Sequence, residues 1–276
     1  MFEKSKLKFL TEKQKSRRRA VFISIAIALI AALLLSVSTV VLLKNKNSSS
    51  KEKEQPAIKK SAYSENLPDN AKILILIPES DRSDILYLGI LNINSAKDKL
   101  YLSPVDKKNL IQSENMTIAE YYEKKGIVTT VAQLETSKNI KIDRYVAIHR
   151  GNIGALFKVT GPLEKNFDSE INYQDSDFRL QIKKGPKKIS GNEMIKLLKY
   201  LEKSHPSDYA IRQSTLVAEY LNQSFGKENL SKGDTFFNSF VNLADTNISV
   251  VDFAKYKDYL IHLDEKEIEV EVKKYE

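Results

Sequence analysis

The sequence predicts an α/β fold, a mixed central sheet sandwiched between helices, preceded by one N-terminal transmembrane helix. Three observations lead there. Residues 20–43, AVFISIAIALIAALLLSVSTVVLL, form an uncharged apolar run. Three strand-like runs follow within residues 72–103, and the first two, KILILI and ILYLGILNI, are apolar on both faces. Strands of that kind need cover on both sides, which helices supply. Beyond them, stretches with helical spacing alternate with further strand-like runs.

As a helix, residues 20–43 would be about 36 Å long, against a hydrocarbon core of about 30 Å. The segment is too long for the apolar region of a cleaved signal peptide and lacks its small-residue exit, so it reads as an uncleaved signal anchor. Residues 1–19 carry eight Lys or Arg and two Glu, with Arg17, Arg18 and Arg19 abutting the apolar run. Basic flanks stay on the cytoplasmic side. The expected organisation is a cytoplasmic tail (1–19), an anchor (20–43), a flexible stalk (44–70) and one extracellular domain (71–276). The stalk is polar and charged, with too few large apolar residues for a core.

The net charge of +8 is concentrated in the tail, because the rest of the chain has 36 basic and 34 acidic residues. A basic tail of this length is explained by anionic lipid and topology and is too short for a DNA-binding fold, so no nucleic-acid partner is expected. There is no cysteine, which leaves stability to an apolar core and any metal site to carboxylates or histidine. His149, His205 and His262 show no metal-binding spacing.

Within 71–276 the runs at 72–77, 85–93 and 99–103 read as strands that begin the sheet with a hairpin. Helical spacing follows at 117–137, with apolar residues at 127, 128, 131 and 134, and IDRYVAIH at 142–149 reads as strand. GNIGALFKVTG reads as a short helix stopped by Gly161 and Pro162. Two longer helices are expected at 190–203 and 207–225, the first opened by a capping box of Ser190 and Glu193. The basic KKGPKK at 183–188 reads as a solvated hairpin tip. A last helix within 247–263 precedes an alternating strand, EIEVEV.

Four segments in this order, RSDILYLGILNINSAKDKLYLSPVDKKNLI (82–111), VAQLETSKNIKIDRYVAIHRGNIGALFKVTGPLE (131–164), INYQDSDFRLQIKKGPKKISGNEMIKLLKY (171–200) and IRQSTLV (211–217), resemble the LytR-CpsA-Psr family of bacterial envelope proteins. The resemblance implies a phosphotransferase that moves a glycopolymer of teichoic acid or capsule type from a polyprenyl-pyrophosphate carrier onto peptidoglycan. It also implies Mg2+ or Mn2+, a membrane-borne donor and an apolar tunnel for the lipid between sheet and helices. The chemistry asks for cations to neutralise phosphate and for carboxylates to hold a metal and accept a proton.

By that resemblance Asp84 is a metal ligand and catalytic carboxylate, Arg82 and Arg212 are catalytic phosphate clamps, and Glu79 is a second metal ligand. Lys199 and Gln213 join the phosphate contacts. The sequence departs from the family at Val105, Leu201 and Tyr209, where arginines are expected. Valine and leucine cannot hydrogen-bond phosphate, so a second reading is a catalytically impaired relative that binds polyprenyl phosphate or an envelope partner without turnover. Without the resemblance, residues 81–84 read as a solvated turn and Arg212 as one half of a surface ion pair.

Overall fold

The structure, a computed structural model, describes residues 70–81 and 83–274. The tail, the run 20–43, the stalk up to residue 69 and Arg82 lie outside the described residues, and with them the anchor and its orientation. Among the described residues, no helix is long and apolar enough to cross a membrane.

The apolar runs near the start become the centre of the sheet. β1 (Ala71–Pro78) pairs antiparallel with β2 (Ile85–Asn94), which pairs antiparallel with β3 (Lys99–Pro104). Two very short strands, β4 (Leu110–Ile111) and β5 (Met116–Thr117), form a ladder of their own and lead into helix α1 (Ile118–Lys138). β6 (Arg144–Ala147) then returns to pair parallel with β1. Two late strands, β11 (Asp245–Thr246) and β12 (Val270–Val272), close the edges and give the order β11-β6-β1-β2-β3-β12. Parallel pairings at β1/β6 and β3/β12 make the sheet mixed, as the sequence predicts.

Alternation along β1 divides the core. Leu74 and Leu76 face a cluster closed by Ile118, Tyr122, Ile127 and Leu134 of α1, whereas Ile73 and Ile77 face the larger cluster. That second layer is built by α2 (Arg150–Thr160), α3 (Gly191–Ser204), α4 (Tyr209–Ser224), α6 (Asp234–Val241) and α7 (Val250–Glu265), with the short α5 (Lys227–Leu230) between α4 and α6. Each fully buried Leu or Ile contributes about 1.5–3 kcal/mol of transfer free energy, so both faces favour the same sheet register.

Local signals set the helix boundaries. The Ser190 hydroxyl accepts from the Glu193 amide while Glu193 accepts from the Ser190 amide at 3.0 Å, the expected capping box. Thr117 with Glu120 and Ser249 with Asp252 repeat the device. Gly126, at φ 76°, breaks the regular path of α1 in a conformation that only glycine adopts without strain.

Residues 163–189 differ from expectation. They form β7 (Leu163–Phe167), β8 (Ile171–Gln174), β9 (Arg179–Ile182) and β10 (Gly185–Ile189) in two antiparallel pairs, β7 with β10 and β8 with β9. The KKGPKK stretch is therefore mostly strand rather than hairpin tip: Lys187 pairs with Glu193 at 2.9 Å and Lys188 with Glu164 at 2.7 Å. Of the expected EIEVEV strand only Val270–Val272 pairs.

Candidate functional site

Between the sheet and the larger helical layer lies an apolar cavity of about 190 Å3. Ile73, Ile75 and Ile77 of β1 line it with Val146 and Ile148 from the β6 region, and Leu156, Phe157, Phe236 and Phe240 close it from the helices. A water needs roughly 10–15 Å3 on this measure and several polar partners, so a space this large and this apolar suits a hydrocarbon chain better than water.

Polar groups gather beyond the last apolar lining residues of the parallel pair. Glu79 follows Ile77 at the end of β1, and Arg150 follows Ile148 at the start of α2. The Glu79 carboxylate accepts from Arg150 Nη1 at 2.7 Å and pairs with Lys199 Nζ of α3 at 2.5 Å. The carboxyl ends of parallel strands are where α/β sheets hold ligands. Partial burial pushes the Glu79 carboxyl up, but the hydrogen bonds from Lys199 and Arg150 outweigh it and hold the group below its ordinary range. It stays ionised.

A second cluster adjoins the first. The Glu79 amide donates to the Asp84 carbonyl at 2.9 Å and the Ser80 amide to Ser83 Oγ at 2.7 Å, closing the acidic and basic loop on itself. The Asp84 carboxylate takes both oxygens to Lys107 Nζ, each at 3.1 Å. The same ammonium donates to the Ile85 carbonyl at 2.5 Å and pairs with Glu202 of α3 at 3.0 Å. The Lys107 side chain is only 6% exposed, whereas that of Asp84 is 65% exposed. Lys199 and Glu202, three residues apart, lie on one face of α3 and bring the two clusters together.

The loop carrying Lys107 is pinned on both sides: the Val105 amide donates to the Leu88 carbonyl at 3.2 Å, and the Lys107 carbonyl accepts from the Ala119 amide at 3.1 Å. Val105 itself is buried in the cluster beneath α1, and Leu201 packs against the larger core. Tyr209 donates its hydroxyl to Asp106, and Lys108 stands 4.8 Å over its ring. At all three positions of expected arginines, packing or an internal hydrogen bond takes up the side chain.

Of the residues expected to act, Glu79, Asp84 and Lys199 come together in the joined clusters. Arg212 is half exposed and pairs with Asp208 at 2.8 Å along α4. Gln213 is buried and donates to the Leu86 and Leu198 carbonyls at 3.2 and 2.8 Å, tying α3, α4 and β2 together. Arg82 lies outside the described residues. Sequence reasoning missed Arg150, Lys107 and Glu202. The first had a signal, since it follows a strand's last apolar lining residue as Glu79 does.

The donor set does not fit a divalent metal. Glu79 and Asp84 are each engaged by protein cations, and among the described residues no three acidic or histidine side chains come together to ligate one. Mg2+ is held at about 2.0–2.1 Å by one or two carboxylates together with water and phosphate, and here each carboxylate already faces a protein cation.

Fold and site together define a mixed α/β domain with an apolar cavity beneath one sheet face and a charged rim at the carboxyl end of its parallel strands. The sequence profile of the LytR_cpsA_psr family matches residues 37–275, and the chain belongs to that family. Attachment of glycopolymer to the cell wall is the role at family level. No curated protein sequence matches significantly. Among solved structures, Bacillus subtilis TagV is similar at 18% identity and TM-score 0.60, over 74% of this chain and 84% of that one. A candidate transcription regulator from Eubacterium siraeum is similar at 17% identity and TM-score 0.65, over 83% and 89%. TagT bound to LI-WTA is similar at 12% identity and TM-score 0.56, over 80% and 82%. At these identities the likeness is one of fold.

Proposed function

We propose that this chain is a membrane-anchored envelope protein that receives a polyprenyl-linked glycopolymer, with the isoprenoid chain in the apolar cavity and the phosphate at the Arg150 and Lys199 rim. The observation that carries this reading is the continuity of the apolar lining of β1 and β6 with the charged rim just beyond it. The lipid-linked wall teichoic acid that TagT binds is a ligand of the same chemistry. Anchoring through residues 20–43 and the stalk would hold the domain near a membrane-borne donor.

In an active protein the hydroxyl oxygen of the peptidoglycan acceptor attacks the glycan-bearing phosphorus of the pyrophosphate. The bond from that phosphorus to the bridging oxygen breaks, and polyprenyl monophosphate leaves with the electron pair. The acceptor's proton passes to Asp84, whose carboxylate has an exposed side. Glu79, shared between two cations and held ionised, orients Arg150 and Lys199 rather than moving a proton. The test is transfer of radiolabelled glycopolymer from a lipid-pyrophosphate donor to peptidoglycan by the full chain. Product that falls at least about tenfold in Asp84→Asn supports the reading; undiminished product in that variant refutes the role of Asp84.

A second reading, binding without turnover, is favoured by the side chains at the three positions of expected arginine. Val105 is core, Leu201 packs against core and Tyr209 is tied to Asp106. Tight binding of polyprenyl phosphate together with no transfer product would select it. Transfer at rates comparable to relatives with the full arginine set would sink it.

A further inference from the structure

The geometry points to Lys107 as a built-in substitute for the divalent cation: its ammonium is clamped between Asp84, an expected metal ligand, and Glu202, so the site binds its phosphate ligand without Mg2+ or Mn2+. This deepens the proposed function and rests on it for the identity of the ligand, but the cation question is decided independently.

An ammonium has three donors and no acceptor. Lys107 directs them at three acceptor groups: the Asp84 carboxylate at 3.1 Å, the Glu202 carboxylate at 3.0 Å and the Ile85 carbonyl at 2.5 Å. No donor is left for a ligand, so Lys107 is a positioning residue and not a phosphate contact. Burial of an unpaired charge is costly, and here it is offset by two carboxylates that are themselves brought together by the fold, one from the β1–β2 loop and one from α3. A dication approaching Asp84 or Glu202 would meet a fixed positive charge 3.0–3.1 Å from their oxygens.

The loop makes this arrangement rigid. Val105 anchors it in the core on one side and the Lys107 carbonyl is held by the first turn of α1 on the other, so the ammonium is not free to swing aside for a metal. Glu79 is in the same condition, shared between Arg150 and Lys199. Across the joined clusters, three carboxylates face four protein cations when Lys108, 3.4 Å from Glu202, is included. The rim therefore has its neutralising charge supplied by side chains.

The test is a Mn2+ titration of the full-length chain in detergent micelles, read from the electron paramagnetic resonance signal of free aqueous Mn2+. Wild type is expected to leave the signal unchanged. Lys107→Met, which removes the ammonium and leaves Asp84 and Glu202 facing one another, is expected to gain one site at least about tenfold tighter than any uptake by wild type, and Asp84→Asn added to it is expected to abolish that site. Stoichiometric uptake by wild type that Asp84→Asn removes overturns the proposal. So does a folded Lys107→Met that gains nothing.

Because Lys107→Met can fail to fold, a second measurement stands beside it. Binding of a short-chain polyprenyl monophosphate to wild type is compared in EDTA and in excess Mg2+. Affinities within about twofold of one another support the proposal, and a loss of tenfold or more in EDTA overturns it. Absence of lipid binding in both buffers would refute the lipid-phosphate reading itself, and the wild-type Mn2+ titration would still decide the cation.

Discussion

Replacing Gly191 with alanine is expected to destabilise the domain, while the same change at Gly154, its contact partner, is expected to leave it equally or more stable. Gly191 opens α3 against α2, and a Cβ added there would stand 2.9 Å from Gly154 Cα, 2.9 Å from the Ile153 carbonyl oxygen and 3.0 Å from Gly154 N. All three are backbone atoms and cannot rotate away, so the helices must part. Overpacking of this kind costs about 1–3 kcal/mol. A Cβ on Gly154 meets nothing within 4 Å, and alanine in the interior of α2 gains about 0.8–1.0 kcal/mol of helix propensity. For a domain near 200 residues each kcal/mol moves the melting temperature by about 2–4 °C, so Gly191→Ala is expected to lower it by about 2–12 °C. The assay is thermal and urea unfolding of the full chain by circular dichroism. Because α3 carries Lys199 and Glu202, Gly191→Ala should also weaken lipid-phosphate binding. A Gly191→Ala melting at or above wild type, or a Gly154→Ala that melts below it, would refute the close-approach argument.

Leu134→Ala, at a fully buried position between α1 and the sheet, is expected to cost about 2–5 kcal/mol in urea unfolding; a loss below 1 kcal/mol would mean that α1 does not seal that face. Acid should destabilise the domain through Asp252 and Glu79. The Asp252 carboxyl is held well below its usual value of 3.8, chiefly by the Arg144 guanidinium, which grips it at 2.7 and 2.9 Å, and Glu79 is held below 4.5. A depressed carboxyl stabilises the fold above its unfolded value, so the contribution is whole above about pH 4.5 and is lost as pH falls through the folded values. The urea midpoint should therefore drop between pH 6 and pH 3, and Asp252→Asn should flatten that drop; an unchanged pH slope in the variant would rule out the Arg144 pairing as a source.

How much was legible in advance varied with the kind of signal. KILILI and ILYLGILNI could be read as central strands because apolar side chains on both faces have few other destinations in a folded chain. Ser190 with Glu193 marked the start of α3 because a capping box is complete within four residues. The strands at 163–189 were hidden for the opposite reason: LEKNF and GPKKI show little apolar alternation, and INYQ and RLQI alternate over only four residues each. Glu79 and Lys199 were nameable from family wording. Lys107 and Glu202 were not, since nothing local to VDKKN or KYLEK indicates that they form an ion pair across 95 residues of chain.

The sequence by itself determined the central elements: which runs form the middle of the sheet, where the capped helices begin, and which residue types are present to meet a phosphate. Apolar periodicity and capping act over a few residues, so they can be read without knowing the rest of the chain. Only the tertiary structure decided which charges meet. It placed Arg150 and Lys199 on one carboxylate, slid Lys107 between Asp84 and Glu202, and buried Val105 in the core. Charge pairing depends on distances of 3 Å or so between groups far apart in sequence, and those distances exist only once both faces of the sheet are packed.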